Sequence, residues 1–393
     1  MVADGGGTSV RTVVAVSTGI HTTGAAVLAG IAVLGPVLVA ETALEPGHIG
    51  ALIGAANIGA LPGLITSPVL VRRWGTGRAL GLGCLVMAVS TGVFTIELPF
   101  LLALLVVTVF GAGWGISSVS GGGAILDSSP VRRRAVLSSI RQVGLPAGGV
   151  IAGALVPLLA WAGWRGLFGA LSLLLCGLAV AAASLRVNDQ TSSGGHRWWR
   201  TPPWPALRMG AFSLPLITAQ WAFTTYLTLE LVGRLDRGVT AAAAVFFCSQ
   251  LTGVVARPAL GAISDRFGPP RGRMLAVLAA ICSLGLVLFG LLPAAISEFS
   301  LLTCVLIVSI VALGWNGIMI VAFAEADPNG RTTVDIAAGL TVMRIGNIVG
   351  PPAFGLALLH FGTMASWLGL AGLVLLSAYP LWASPGRIAH RGS

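Results

Sequence analysis

Long apolar runs, separated by short polar breaks, limit what this chain can fold into. A bilayer core is crossed by about 20 consecutive apolar residues in a helix, and the chain has length for about twelve such spans. Of its 393 residues, 55% are hydrophobic and only 9% are charged. A soluble domain is about one quarter charged, so this chain could not cover a water-facing surface. With a mean hydropathy of +0.92, it reads as an all-α polytopic membrane protein. The net charge of +10 would suit nucleic acid in a soluble chain. In a membrane chain the arginines set topology, and no nucleic-acid partner is expected.

The pattern predicts spans 1 to 6 at about 12–39, 49–71, 79–97, 99–126, 135–160 and 164–185. Spans 7 to 12 follow at about 206–233, 239–263, 273–292, 298–324, 334–361 and 363–383. One long polar linker, 186–205, separates an N-terminal half, 1–185, from a C-terminal half, 206–393. Its Trp198-Trp199 pair reads as a headgroup-level anchor for span 7. The first run is too long for a signal-peptide core and reads as an uncleaved span. Arginines gather on alternate loops, leaving only Arg165, Arg234 and Arg237 on the opposite side. By the positive-inside rule both termini and the linker face the cytoplasm, in a multi-pass protein of the cell membrane. Cys84, Cys176, Cys248, Cys282 and Cys304 all fall in apolar runs without a C-x-x-C, as packing thiols do.

The two halves repeat. Glu97, Leu101, Trp114 and Arg141 recur as Glu298, Leu302, Trp315 and Arg344. Gly113-Trp114-Gly115 matches Gly314-Trp315-Asn316, and Arg73-Trp74-Gly75 matches Arg266-Phe267-Gly268. A six-plus-six repeat is an architecture of secondary carriers.

The stretch Gly261-Ala262-Ile263-Ser264-Asp265-Arg266-Phe267-Gly268 lies between spans 8 and 9. Its G-x-x-x-D-R-x-G pattern resembles the loop motif of the major facilitator superfamily, found after helix 2 and again after helix 8. The copy after span 2 is degraded: Pro68 replaces the leading glycine and Arg72 the acid, while Arg73 and Gly75 remain. Span 5, Arg141-Gln142-Val143-Gly144-Leu145-Pro146, resembles a bacterial subgroup that includes cyanate-type and other organic anion permeases. Span 11, Gly346-Asn347-Ile348-Val349-Gly350-Pro351-Pro352, resembles an antiporter motif. The resemblance implies twelve helices in two pseudo-symmetric halves, alternating access, and a solute site between the halves. It also implies a cytoplasmic latch, here with swapped charges, Arg72 against Asp335. Asp265 in the intact copy would face Arg134 or Arg141.

An ionisable group inside a membrane costs several kcal/mol unless paired or hydrated, so each is a functional candidate. Arg257 lies about 12 Å into span 8 from Asp265, and Arg344 about 13 Å into span 11 from Asp335. Arg141 and Arg344 could clamp a carboxylate, since guanidinium offers a bidentate fork, or could brace the cytoplasmic gate against Asp127, Asp265 and Asp335. Trp114 and Trp315 could bracket an apolar solute or simply pack. Asn316, Gln142 and Asn347, with Asn57, Gln220 and Gln250, could bind solute or tie helices. For proton coupling the candidates are His21, the one interior group that titrates near neutrality, and Glu230. Gly59/Gly63, Gly144/Gly148 and Gly346/Gly350 let helices pack closely.

The chain carries no G-x-S-x-G, H-E-x-x-H or P-loop, so neither an enzyme, a cofactor nor a metal site is expected. The leading expectation is a monomeric solute carrier, weakly favouring uptake of an organic anion. The alternatives are proton-coupled efflux of amphipathic compounds and, remotely, a non-transporting sensor. If the swapped latch forms, Arg72→Asp impairs transport and the double variant Arg72→Asp, Asp335→Arg restores it. A transport assay showing no rescue removes the pairing.

Overall fold

A computed structural model describes residues 8–128, 134–187, 204–267, 271–325 and 332–383. The motif turn at Gly268 and most of the linker, with its Trp pair, lie outside them. So do the side chains of Asp127, Gln142, Asp265 and Asp335. The chain divides into two units, Met1–Gly195 and His196–Ser393. Among the described residues the regular structure is helical. In hydrocarbon a backbone amide has no water to bond, and a helix satisfies its own.

In the first unit α1 (Val10–Val33) is followed by a short α2 (Gly35–Glu41). Span 1 is thus broken at Leu34, before Gly35 and Pro36, where proline cannot donate a helical hydrogen bond. Then come α3 (Pro46–Trp74), α4 (Thr76–Phe94), α5 (Phe100–Ser128), α6 (Arg134–Leu155) and α7 (Leu159–Ala183). The second unit holds α8 (Trp204–Phe212), α9 (Leu214–Gly233), α10 (Val239–Phe267) and α11 (Arg271–Gly290). It ends with α12 (Glu298–Gly314), α13 (Asn316–Glu325) and α14 (Thr332–Trp382). Two predicted spans are split: span 7 at Ser213, just before Pro215, and span 10 at Trp315. Nine helices among the described residues are long and apolar enough to cross a membrane. One of these, α14, is two spans folded at Gly362, and α6 and the α8–α9 pair supply the rest.

The repeat is visible in the backbone. Span 5 turns into span 6 at Gly163, with φ 61° and ψ 174°. Span 11 turns into span 12 at Gly362, with φ 75° and ψ 172°. Only glycine occupies this region without strain. Past each kink the chain buries an aromatic residue at the same register, Phe168 and Trp367. Phe168 meets Phe94 and Trp164, while Trp367 meets Phe289, Phe223 and Phe354. Outward-facing apolar side chains such as Trp161, Leu173, Phe299 and Leu376 are largely exposed, as a lipid-facing surface requires.

Within the first unit α3 and α5 touch backbone to backbone. A Cβ at Gly59 would strike the Thr108 carbonyl, and one at Gly63 the Ala112 carbonyl. From the other side Gly111 faces the Ala56 carbonyl and Gly115 that of Ala60. In lipid, association without a hydrophobic driving force depends on such close approach.

The kink glycines and the remaining helical glycines separate in a thermal test. Among the described residues no atom lies within 4 Å of a Cβ built at Gly163 or at Gly169. Gly163→Ala therefore loses about 1–3 kcal/mol through backbone strain alone. Gly169→Ala, with no strain to add, is neutral or stabilising. Equal melting midpoints of the two variants in detergent would contradict the kink geometry.

Candidate functional site

Three helices of the first unit bring the sequence candidates Arg141, Trp114 and His21 together. His21 lies on α1, Trp114 on α5 and Arg141 on α6. The His21 and Trp114 rings stack with centroids 4.7 Å apart and planes 29° apart. Gly24 makes room for that indole, since a side chain there would run into the ring. Gly144 lets α6 approach α1: its Cβ would lie 2.8 Å from Thr22 Oγ1 and 3.4 Å from His21 Cδ2.

Arg141 stands one turn before Gly144 and is only 8% exposed. Its Nη2 donates to the Ser117 carbonyl at a long 3.4 Å, and its Nε has no partner. Ser17 Oγ, Thr18 Oγ1 and Ser117 Oγ are buried without partners as well. A Cβ built at Gly121 would be 2.5 Å from Ser17 Oγ and 3.5 Å from Arg141 Nε, so both groups converge there. At Gly122 the one atom of the described residues within 4 Å of a built Cβ is Arg141 Nη1, at 3.9 Å. Among the described residues Arg141 is in no ion pair. A buried cation with vacant donors has a strong attraction for an anion.

The sequence reading passed over Ser17, Ser117, Gly121 and Gly122. Helical spacing could have found the serines: Ser17 is four residues before His21, and Ser117 three after Trp114, so each shares a face with its partner.

The second unit is arranged differently. The break at Trp315 leaves carbonyls of the last turn of α12 to side chains. Trp315 is fully buried, and its Nε1 donates to the Ala312 carbonyl at 3.0 Å. Arg257 Nε donates to the Leu313 carbonyl at 3.1 Å, and Asn316 Nδ2 approaches the same oxygen at 3.4 Å. Asn316 also donates to Gln220 Oε1 at 2.8 Å. Arg257, Asn316 and Gln220 thus tie α10, α13 and α9 around the break. Trp315 closes that break, whereas Trp114 stacks on His21.

Arg344 is half-buried on α14, and Asn347 nearby has an unpartnered Oδ1. Arg344 lies four residues closer to the Gly362 kink than Arg141 lies to Gly163, about 6 Å or one turn along the helix. The two arginines thus differ by about one turn in their distance along the chain from the repeat kinks, with the 3-10 turn Val156–Leu158 intervening in the first copy.

Glu230 is held elsewhere. It pairs with Arg234 at 2.8 Å, whose other nitrogens donate to the carbonyls of Leu292 and Phe289 at 2.8 and 2.9 Å. That arrangement secures the end of α11. The repeat mates Glu97 and Glu298 each meet an arginine, Arg165 at 3.4 Å and Arg237 at 3.2 Å. Of the motif residues, Arg72 and Arg73 are exposed in the last turn of α3, and Gly75, with φ 83°, ends that helix. Gly261 and Arg266 lie in the last turns of α10.

Two helical repeats in hydrocarbon, one enclosing an under-bonded cation, define the class of polytopic carrier folds. The family model for the Major Facilitator Superfamily matches residues 14–351, and the chain belongs to that family. An uncharacterised MFS-type transporter of Mycobacterium tuberculosis (strain H37Rv) is 29% identical over 286 residues. That match takes in 69% of this chain, which spans 62% of the relative's length. Among solved structures, a D-xylose–proton symporter superposes with a TM-score of 0.73 at 18% identity, covering 96% of this chain and 98% of the other. The nucleoside transporter NupG gives 0.76 at 13% identity, covering 95% and 98%. Both likenesses concern the fold.

Removing the Gln220–Asn316 bond gives a further test. Gln220→Leu lowers the unfolding free energy by about 0.6–2 kcal/mol, the range for side-chain bonds between membrane helices. An unchanged melting midpoint in detergent would contradict a role for this bond in holding α9 to α13.

Proposed function

We propose that the chain is a secondary transporter that carries a small organic anion into the cell by alternating access. The observation that carries this reading is Arg141, buried and, among the described residues, with one long hydrogen bond and an unpartnered Nε. A guanidinium left in that state costs several kcal/mol, and a transient anionic ligand that pairs with it offsets the cost. Residues that only brace a fold are normally satisfied, as Arg234 is, through Glu230 and the carbonyls of Leu292 and Phe289.

Membership of a transporter family supports solute movement in general. The arginine asymmetry of the loops supports cytoplasmic termini in a cell-membrane protein. Of the solved structures with this fold, one is titled a proton symporter. His21, stacked beside the Arg141 cluster, is the group we assign to proton coupling. Efflux of an amphipathic compound is the second reading, favoured by the Trp114 ring in the same cluster.

Uptake of labelled organic acids into proteoliposomes tests the proposal. Arg141→Gln lowers uptake about 10- to 100-fold, the worth of a charge-assisted hydrogen bond in a buried site. Arg344→Gln stays within about threefold of wild type, because its register differs. Wild-type uptake by Arg141→Gln, or export of amphipathic compounds in place of acid uptake, would overturn it.

A further inference from the structure

We infer that the open face of Gly122, beside Gly121 on which Ser17 and Leu80 pack, is a head-group notch for a monocarboxylate, with Arg141 and the Ser17 hydroxyl as its donors. This rests on the anion reading above and names the class of anion. Arg141 Nε and Ser17 Oγ converge on Gly121 from α6 and α1, and Arg141 Nη1 stands over Gly122. Arg141 is more than nine-tenths buried, and neither its Nε nor Ser17 Oγ has a partner. Two different helices thus aim unused donors at one backbone stretch that has no side chains of its own. Ser117 contributes a carbonyl already turned to Arg141 Nη2 and an unpartnered hydroxyl. Ser120, one residue before the glycines, is committed to Ser67 at 3.0 Å and stays out of the notch.

Charge decides the class of anion. Among the buried described side chains of the first unit, Arg141 is the one arginine, and the cluster includes no carboxylate. With His21 neutral, a monovalent carboxylate leaves the site neutral. A sulfate or doubly ionised phosphate would leave a net negative charge in low dielectric, which costs several kcal/mol. A planar carboxylate also matches the guanidinium fork with its two oxygens and leaves lone pairs for a hydroxyl. The glycines act on size: among the described residues a methyl group at Gly122 meets no atom but Arg141 Nη1, at 3.9 Å, so the fold tolerates it while the notch loses room.

The test is a thermal-unfolding titration of the purified full chain in detergent. Acetate, benzoate, nitrate and sulfate are compared at matched ionic strength, since a ligand of the folded state raises its midpoint. Acetate and benzoate raise the wild-type midpoint and sulfate does not. The apparent affinity for acetate falls about tenfold in Ser17→Ala and in Gly122→Val, and the response disappears in Arg141→Gln. Gly122→Ala, the milder change, keeps the wild-type midpoint without ligand and still weakens acetate. A stronger response to sulfate, or to nitrate with none to the acids, overturns the monocarboxylate class. Wild-type acetate affinity in both Ser17→Ala and Gly122→Ala removes the notch; if Arg141→Gln then abolishes the response, the anion reading survives without it. An undiminished acetate response in Arg141→Gln overturns both.

Discussion

Hydrocarbon offers a polar group no hydrogen bond, and this constraint shapes each level of the structure. It makes the backbone helical among the described residues and leaves little force to hold helices together but close contact. At the α3–α5 crossing that contact is backbone on backbone, through Gly59, Gly63, Gly111 and Gly115. Where helices break, nearby side chains take up the freed carbonyls, as Arg257, Asn316 and Trp315 do at the end of α12. Against that background Arg141 stands out: a full charge, buried, with its Nε left over.

The duplicated halves share a frame and differ in what they enclose. The kinks at Gly163 and Gly362, and the aromatic residues buried just past them, are equivalent. The polar contents are not. The first unit gathers His21, Trp114, Ser17 and Arg141, with several donors unspent. In the second, Gln220 bonds Asn316, and Arg257 and Asn316 both reach the Leu313 carbonyl. A repeat whose two copies separate in this way is suited to placing charge recognition in one copy and structural bracing in the other.

Much of the architecture was legible in the sequence because apolar length and arginine placement report directly on the bilayer. The span boundaries mostly agree, and the Gly-Trp and Arg-Gly words located the repeat. The breaks at Leu34, Ser213 and Trp315 were missed. Each depends on a local contest between proline or side-chain bonding and helix continuity, which hydropathy averages away. Arg141, Trp114 and His21 were legible as individuals, because ionisable and large polar groups are rare in spans. Their convergence was not, since it depends on which faces of α1, α5 and α6 meet. Ser17 and Gly122 drew no attention because a lone serine or glycine in a membrane helix is ordinary.

The central claim, that Arg141, in no ion pair among the described residues, completes itself with a solute anion, can be measured at the guanidinium. In protein labelled with 15N-arginine, the Nε resonance lost in Arg141→Lys identifies the group. The expected result is a signal that shifts on adding acetate and is insensitive to Asp127→Asn. A signal unmoved by any anion, but displaced by Asp127→Asn, would show a permanent ion pair and contradict the claim.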